Sequence, residues 1–213
     1  MPVSAVGEAM DARVARQIGF IEELDRLKSV LRRTPLIDGS RRENSAEHSW
    51  HLALMALLLA EHADEPVDVG RVVALLLVHD VVEIDAGDTF AYDDQGVSGQ
   101  AERERRAAER VFGLLPPDQA ATMRALWEEF EARETPEAHF AVALDRFQPM
   151  LHNYRTEGGT WRTYGVALEQ VLDRAQPIAT ASATLWAYTR ELLERSQAAG
   201  YVRSSATEGE PLG

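Results

Sequence analysis

The chain has 213 residues, 22 Lys+Arg against 35 Asp+Glu, a formal charge of -13 and no cysteine. That length suits one domain with a substantial core, and the missing cysteine excludes disulfides and thiolate zinc sites and permits an intracellular, cytoplasmic setting. The acidic balance argues against nucleic-acid polymers as partners, and no apolar run in the sequence is long enough for a membrane span.

Residues 1 to 9 carry no pattern and read as loose. From Met10 to Leu31 the apolar positions Val14, Ile18, Ile21, Leu24, Leu27 and Leu31 recur at three and four, which predicts an amphipathic helix. Arg32 to Glu43 reads as a loop with turn residues at Pro35, Asp38-Gly39 and Ser40, and it is the most basic stretch of the chain. Asn44 and Glu47 have the spacing of a capping box, so a helix begins there and carries His48 in its first turn. It runs to about His62.

Pro66 and Asp68 restart the chain as a strongly apolar helix, RVVALLLVHDVVEIDAGD, from Arg71 to Asp88. A helix this apolar is buried on most of its circumference. His79 and Asp80 are therefore expected inside, where both need a partner. A divalent metal satisfies imidazole and carboxylate together. Glu83 leans over the same face, four residues from His79 and three from Asp80. Gly87 ends the helix and Asp88 follows it.

Residues 85 to 97 read as an acidic loop, and Gln100 to Phe112 as a highly charged helix that covers the core from outside. Pro116-Pro117 open another helix, and Pro136 starts one from Glu137 to Tyr154 that Pro149 should kink or break. Asp145 lies in its apolar stretch AVALDRF; the adjacent Arg146 points elsewhere on a helix and reads as a poor partner for it. Gly158-Gly159 break the chain before a helix from Trp161 to Arg174. Pro177 starts the last helix, whose Trp186 and Tyr188 read as core or as a dimer face. The tail from 201 to 213 has disorder-prone composition. With no strand alternation, the expected fold is all-α, a single multi-helix bundle over residues 10 to 200.

The order H…HD…D on three helices resembles the HD-domain superfamily of metal-dependent phosphohydrolases. The blocks RRTPL, RRENSAEHS, HDVVEIDAGD and ALDRFQP resemble the bacterial HD-domain 5′-deoxynucleotidases and related hydrolases, over roughly residues 30 to 165. The resemblance implies His48, His79, Asp80 and Asp145 as ligands of one divalent metal, whether Mn, Co, Fe, Zn or Mg. It implies Glu83 and Asp88 as catalytic carboxylates and Arg33 as the phosphate-binding arginine, with Arg41 or Arg42 as weaker choices for that role. The loop DAGDTFAYDD and the block FQPMLHNYRTEGGTW look more like a hydrolase subgroup than the characterised nucleotidases, so metal and phosphate chemistry transfer better than base or sugar preference. His51, His62, His139 and His152 fall in no second motif, which favours one metal.

The expected activity is phosphate release from nucleoside 5′-monophosphates, with the deoxy series included. Another small phosphate ester, a cyclic nucleotide or an alarmone is the enzymatic alternative. A metal-stabilised module that binds a nucleotide without turning it over is the non-enzymatic one. A homodimer is expected by resemblance alone.

Overall fold

The computed structural model describes residues 12–92 and 99–204. The loose ends expected at 1–9 and 205–213, and the second half of the acidic loop, lie outside those residues. Helix α1 spans Ala12–Leu24 and passes through a 3₁₀ turn, Asp25–Ser29, into a two-stranded antiparallel hairpin, β1 Leu31–Pro35 and β2 Arg42–Asn44. Then come α2 Ser45–Leu59, α3 Val69–Val78, a 3₁₀ turn His79–Val82 and the single turn α4 Glu83–Ala86. The rest is α5 Gln100–Phe112, α6 Pro117–Ala132, α7 Pro136–Arg155, α8 Gly159–Thr163, α9 Leu168–Ala181 and α10 Ala183–Ala198. The fold is all-α, as expected.

Helix α7 is the axis of the bundle. Ala138, Phe140 to Leu144 and Phe147 are all buried, and helices α2, α3, α6, α9 and α10 pack around them. The small residues Ala138, Ala141 and Ala143 let neighbouring backbones come close, while Phe140 and Leu144 fill the gaps between them. Thr135 caps this helix through the Ala138 N–H, at 3.1 Å, and Pro136 sits in its first turn, where a missing N–H costs nothing. Pro149 does not break it: α7 is continuous to Arg155. The N–H that Pro149 lacks would have met the carbonyl of residue 145, so the one absent rung falls beside Asp145.

Several expectations are corrected. The first helix stops at Leu24, and Val14, Ile18 and Ile21 stay exposed while Phe20 and Leu27 enter the core. The basic loop is a hairpin, because Leu36 N–H and Gly39 N–H close a turn onto Arg41 and Leu36 carbonyls while Asp38 accepts from Ser40. The helix expected from Trp161 to Arg174 is two helices, divided near Gly165. Pro177 lies inside α9, and the last helix starts instead at Ser182, whose Oγ accepts from Leu185 N–H at 3.1 Å. Residues just past Gly200 fold back: Val202 is buried and Arg203 bridges to Ala167.

Other readings hold. Asn44 Oδ1 accepts from Glu47 N–H at 2.9 Å, and Glu47 Oε2 accepts from Asn44 N–H at 3.2 Å, the reciprocal pair of a capping box. Asp68 caps α3 through Arg71 N–H. Gly87, at φ 74 and ψ 156, takes a backbone conformation that favours glycine and turns the chain so that Asp88 returns to the centre.

Candidate metal centre and substrate pocket

The apolar helix of the sequence ends one residue before its functional pair. Helix α3 closes at Val78, and His79 to Val82 tighten into a 3₁₀ turn. Such a turn eclipses residues three apart, which brings Asp80 and Glu83 together, and the turn packs against α2, α5 and α6. His79, Asp80, Glu83, His48 and Asp145 are all buried.

The two histidines are oriented alike. His79 Nδ1 donates to the Leu76 carbonyl at 2.8 Å, which orients the ring and turns Nε2 toward the carboxylates. His48 Nδ1 faces Glu43 Oε2 at 3.3 Å, and its Nε2 lies 2.9 Å from Asp145 Oδ1. His79 Nε2 is 3.0 Å from Asp80 Oδ1 and 3.8 Å from Asp145 Oδ1, yet it is buried with no hydrogen-bond partner. Ligand atoms of His48, His79 and Asp145 all lie within 4.8 Å of one another. An imidazole with its far nitrogen tied to a carbonyl, and another whose far nitrogen faces a carboxylate, are arranged as metal ligands. The orphaned His79 Nε2 and the convergent carboxylates fit a divalent ion.

Electrostatics divide the carboxylates into two groups. Burial works against charge on Asp80, but His79 and Arg32 outweigh it and hold its pKa down to about 2. Asp145 is likewise held well below the usual range, with Arg146 and the histidines overcoming burial. Glu83 goes the other way: burial and the Asp80 charge push it well above the ordinary value. Asp88 is also raised, by burial first. Ser45 Oγ donates to Glu83 Oε2 at 2.6 Å and fixes that oxygen. Burial disfavours charge on His79 too, but Asp80 and Asp145 lift its pKa well above the imidazole norm.

Arg32 rather than Arg33 enters this cluster. Its Nη1 lies 2.8 Å from Asp80 Oδ2 and 3.7 Å from Asp88 Oδ1. Alternation along β1 sends its neighbour outward, and Arg33 Nη1 donates to the Tyr164 hydroxyl at 2.7 Å on the pocket rim. Arg41 pairs with Glu47, and Arg42 bonds the Leu31 and Arg32 carbonyls, so both serve the hairpin. Arg146 is a partner of Asp145 after all, at 2.8 Å, because an adjacent long side chain curls back along the helix to reach it.

These groups line a cavity of about 370 Å³, the size of a small-ligand site. Phe90 and Tyr92 from the loop after Asp88, with Trp161 from α8, line it too. Gln100 and Glu104 of α5 line it as well, so the charged helix is part of the wall and not only an outer cover. Asn153 Oδ1 accepts from both Thr160 N–H and Oγ, which locks α8 and Trp161 onto the end of α7. A second group, Glu43, His51 and His152, lies behind His48. There the Gln148 amide donates to Glu43 Oε1 at 2.7 Å, and Glu43 in turn supports His48.

A family model described as "HD domain" matches residues 24–186. The chain belongs to the HD-domain family. It is 30% identical over 136 residues to human 5′-deoxynucleotidase HDDC2, covering 64% of this chain and 63% of that one, so it spans a little under two thirds of that relative's length. It is 32% identical over 144 residues to the bovine protein of the same name, covering 67% and 69%. A crystal structure of a predicted metal-dependent phosphohydrolase from Magnetospirillum magnetotacticum MS-1 is 56% identical, superposes with a TM-score of 0.86, and covers 90% of this chain and 96% of that chain. Glu43 and Arg32 join the site without any motif in the sequence that marks them. The signal for both was strand alternation, in segments too short to show it.

Proposed function

We propose that this HD-family chain is a metal-dependent phosphomonoesterase acting on nucleoside 5′-monophosphates, the deoxy series included. One observation supports the reading: three buried side chains able to hold a metal ion converge beside raised-pKa carboxylates and arginines in the wall of one small-ligand cavity. The names of the similar proteins support the same chemistry. His48, His79, Asp80 and Asp145 hold a divalent ion, which supplies Lewis acidity for the phosphoryl group and the attacking water.

The protein's own residues do the rest. Asp80 stays ionised beside Arg32 and keeps the guanidinium aimed at the centre, where it meets the equatorial phosphoryl oxygens. Arg33 closes the phosphate end from the rim. Glu83, Asp88 and Asp80 lie too close together for all three to be ionised, so one proton is retained near the leaving oxygen. Glu83, fixed by Ser45, delivers that proton to the departing ribose oxygen, and Asp88, as the carboxylate, orients the water and takes its proton, which returns to Glu83 before the next turnover. Phe90, Tyr92 and Trp161 pack against the nucleoside and exclude bulk solvent.

The test is a phosphate-release screen with chelated protein, adding each divalent metal in turn across nucleoside monophosphates, sugar phosphates and cyclic nucleotides. Release from 5′-monophosphates is the expected result; turnover of cyclic nucleotides alone would overturn it.

The chain also acts as a homodimer in this reading, through α2 rather than the last helix. Trp50, Leu54, Leu57 and Leu58 recur at helical spacing and are exposed, Leu58 by 73% and Trp50 by 61%, whereas Trp186 packs on the core. Sedimentation should give a dimer that Leu58→Glu converts to monomer.

A further inference from the structure

Among the charged groups that line the cavity, one cation lacks a partner. Arg174 projects from α9 into the cavity wall, within electrostatic range of Arg146, Asp145, Tyr92 and Arg133. Its Nε is sealed from solvent with no hydrogen-bond partner, and no carboxylate among the described residues lies within ion-pair distance of its guanidinium. Its electrostatic surroundings are mostly hostile: burial, then Arg146, draw its pKa down to about 10, and Asp145 and Tyr92 only partly offset them. Arg146 has its own carboxylate in Asp145, at 2.8 Å, and Arg32 has Asp80. Arg133 lines the same cavity from the close of α6, held at φ 54, a left-handed conformation that a non-glycine residue adopts at a cost. Glu131 lines it as well, and the charges that bear on it are those of Arg133, His79, Arg146 and Asp145.

An arginine stays charged at neutral pH even when burial lowers its pKa to this extent, and the described residues supply no counter-charge in contact with it. A guanidinium sealed on one side and open to a cavity on the other fits a planar, two-oxygen acceptor. We infer that Arg174, with Arg133 beside it, forms a subsite for a second anionic group, so that preferred substrates are phosphomonoesters bearing a second phosphate or a carboxylate besides the scissile phosphate. The inference rests on the phosphomonoesterase reading for which phosphate is cleaved, but not for the existence of the subsite.

Two matched pairs of compounds test it. Deoxyadenosine 3′,5′-bisphosphate is set against deoxyadenosine 5′-monophosphate, and 6-phosphogluconate against glucose 6-phosphate. Dissociation constants come from calorimetry on chelated protein, and kcat/KM from the metal-loaded enzyme. In the wild type, the doubly anionic member of at least one pair should bind tenfold tighter or more, and the pair that responds tells whether phosphate or carboxylate is taken. Arg174→Met should abolish that gain while keeping or raising Tm, since it removes an unpaired buried charge and keeps the stem. Equal binding within both wild-type pairs would overturn the subsite without any variant. So would a gain that survives Arg174→Met, or a Tm that falls. If the doubly anionic ligands bind as expected and none is hydrolysed with any metal, the subsite stands and the phosphomonoesterase reading fails.

Discussion

Two parts of the cavity wall handle buried charge in opposite ways. At the metal cluster each charged group faces another: Arg32 meets Asp80, Arg146 meets Asp145, and the histidines sit between carboxylates. Arg174 has no such contact: Arg146 is the strongest charge acting on it, and Asp145 and Tyr92 offset that only in part. A matched cluster is prepared for an ion and for charge that develops during reaction, whereas an unmatched cation is prepared for charge that the ligand brings. The difference separates chemistry from selection within one pocket.

The largest expected effect comes from taking the metal cluster apart. Asp80→Ala and His79→Ala should lose the bound ion by elemental analysis and reduce turnover to background, while the exposed Asp38→Ala loses neither. Stoichiometric metal in Asp80→Ala would remove that residue from the ligand set. Next come the raised carboxylates. Glu83→Gln and Asp88→Ala should keep the metal and lower kcat by roughly 10² or more if they move or hold protons, and single-turnover phosphate release would show wild-type rates if they do not.

The arginines sharpen the contrast in smaller steps. Arg32→Lys keeps charge but loses the planar fork beside Asp80, and should cost more in kcat/KM than Arg33→Lys, whose side chain sits on the rim against Tyr164. The reverse order would restore Arg33 as the main phosphate ligand. The smallest effect is on stability against pH in chelated protein. Glu83 has a folded pKa above its unfolded value, so its contribution is fully present at low pH and is lost as pH rises through the folded value. The midpoint of urea unfolding should therefore fall as pH rises from the ordinary glutamate range, and Glu83→Gln should flatten part of that slope. A Glu83→Gln profile parallel to wild type would mean that Glu83 is not held protonated by the fold.

Much of this protein was determined by its sequence alone. Apolar spacing marked the helices, Asn44 with Glu47 marked a helix start, and the apolar run before His79-Asp80 required that pair to be buried and therefore partnered. Those signals are local, or concern one helix face, and survive without knowledge of the neighbours. The tertiary structure decided what depends on neighbours. Which of two adjacent arginines faces the metal was set by the register of a five-residue strand that exists only because it pairs with β2. Arg146 joined Asp145 because packing left a long side chain no better place than back along its own helix. Glu43 took its role from lying beside His48, and Arg174 from lining the same cavity as Asp145, 29 residues earlier in the chain. Val14, Ile18 and Ile21 kept perfect helical spacing and remained outside, because periodicity fixes which residues share a face but not what that face meets.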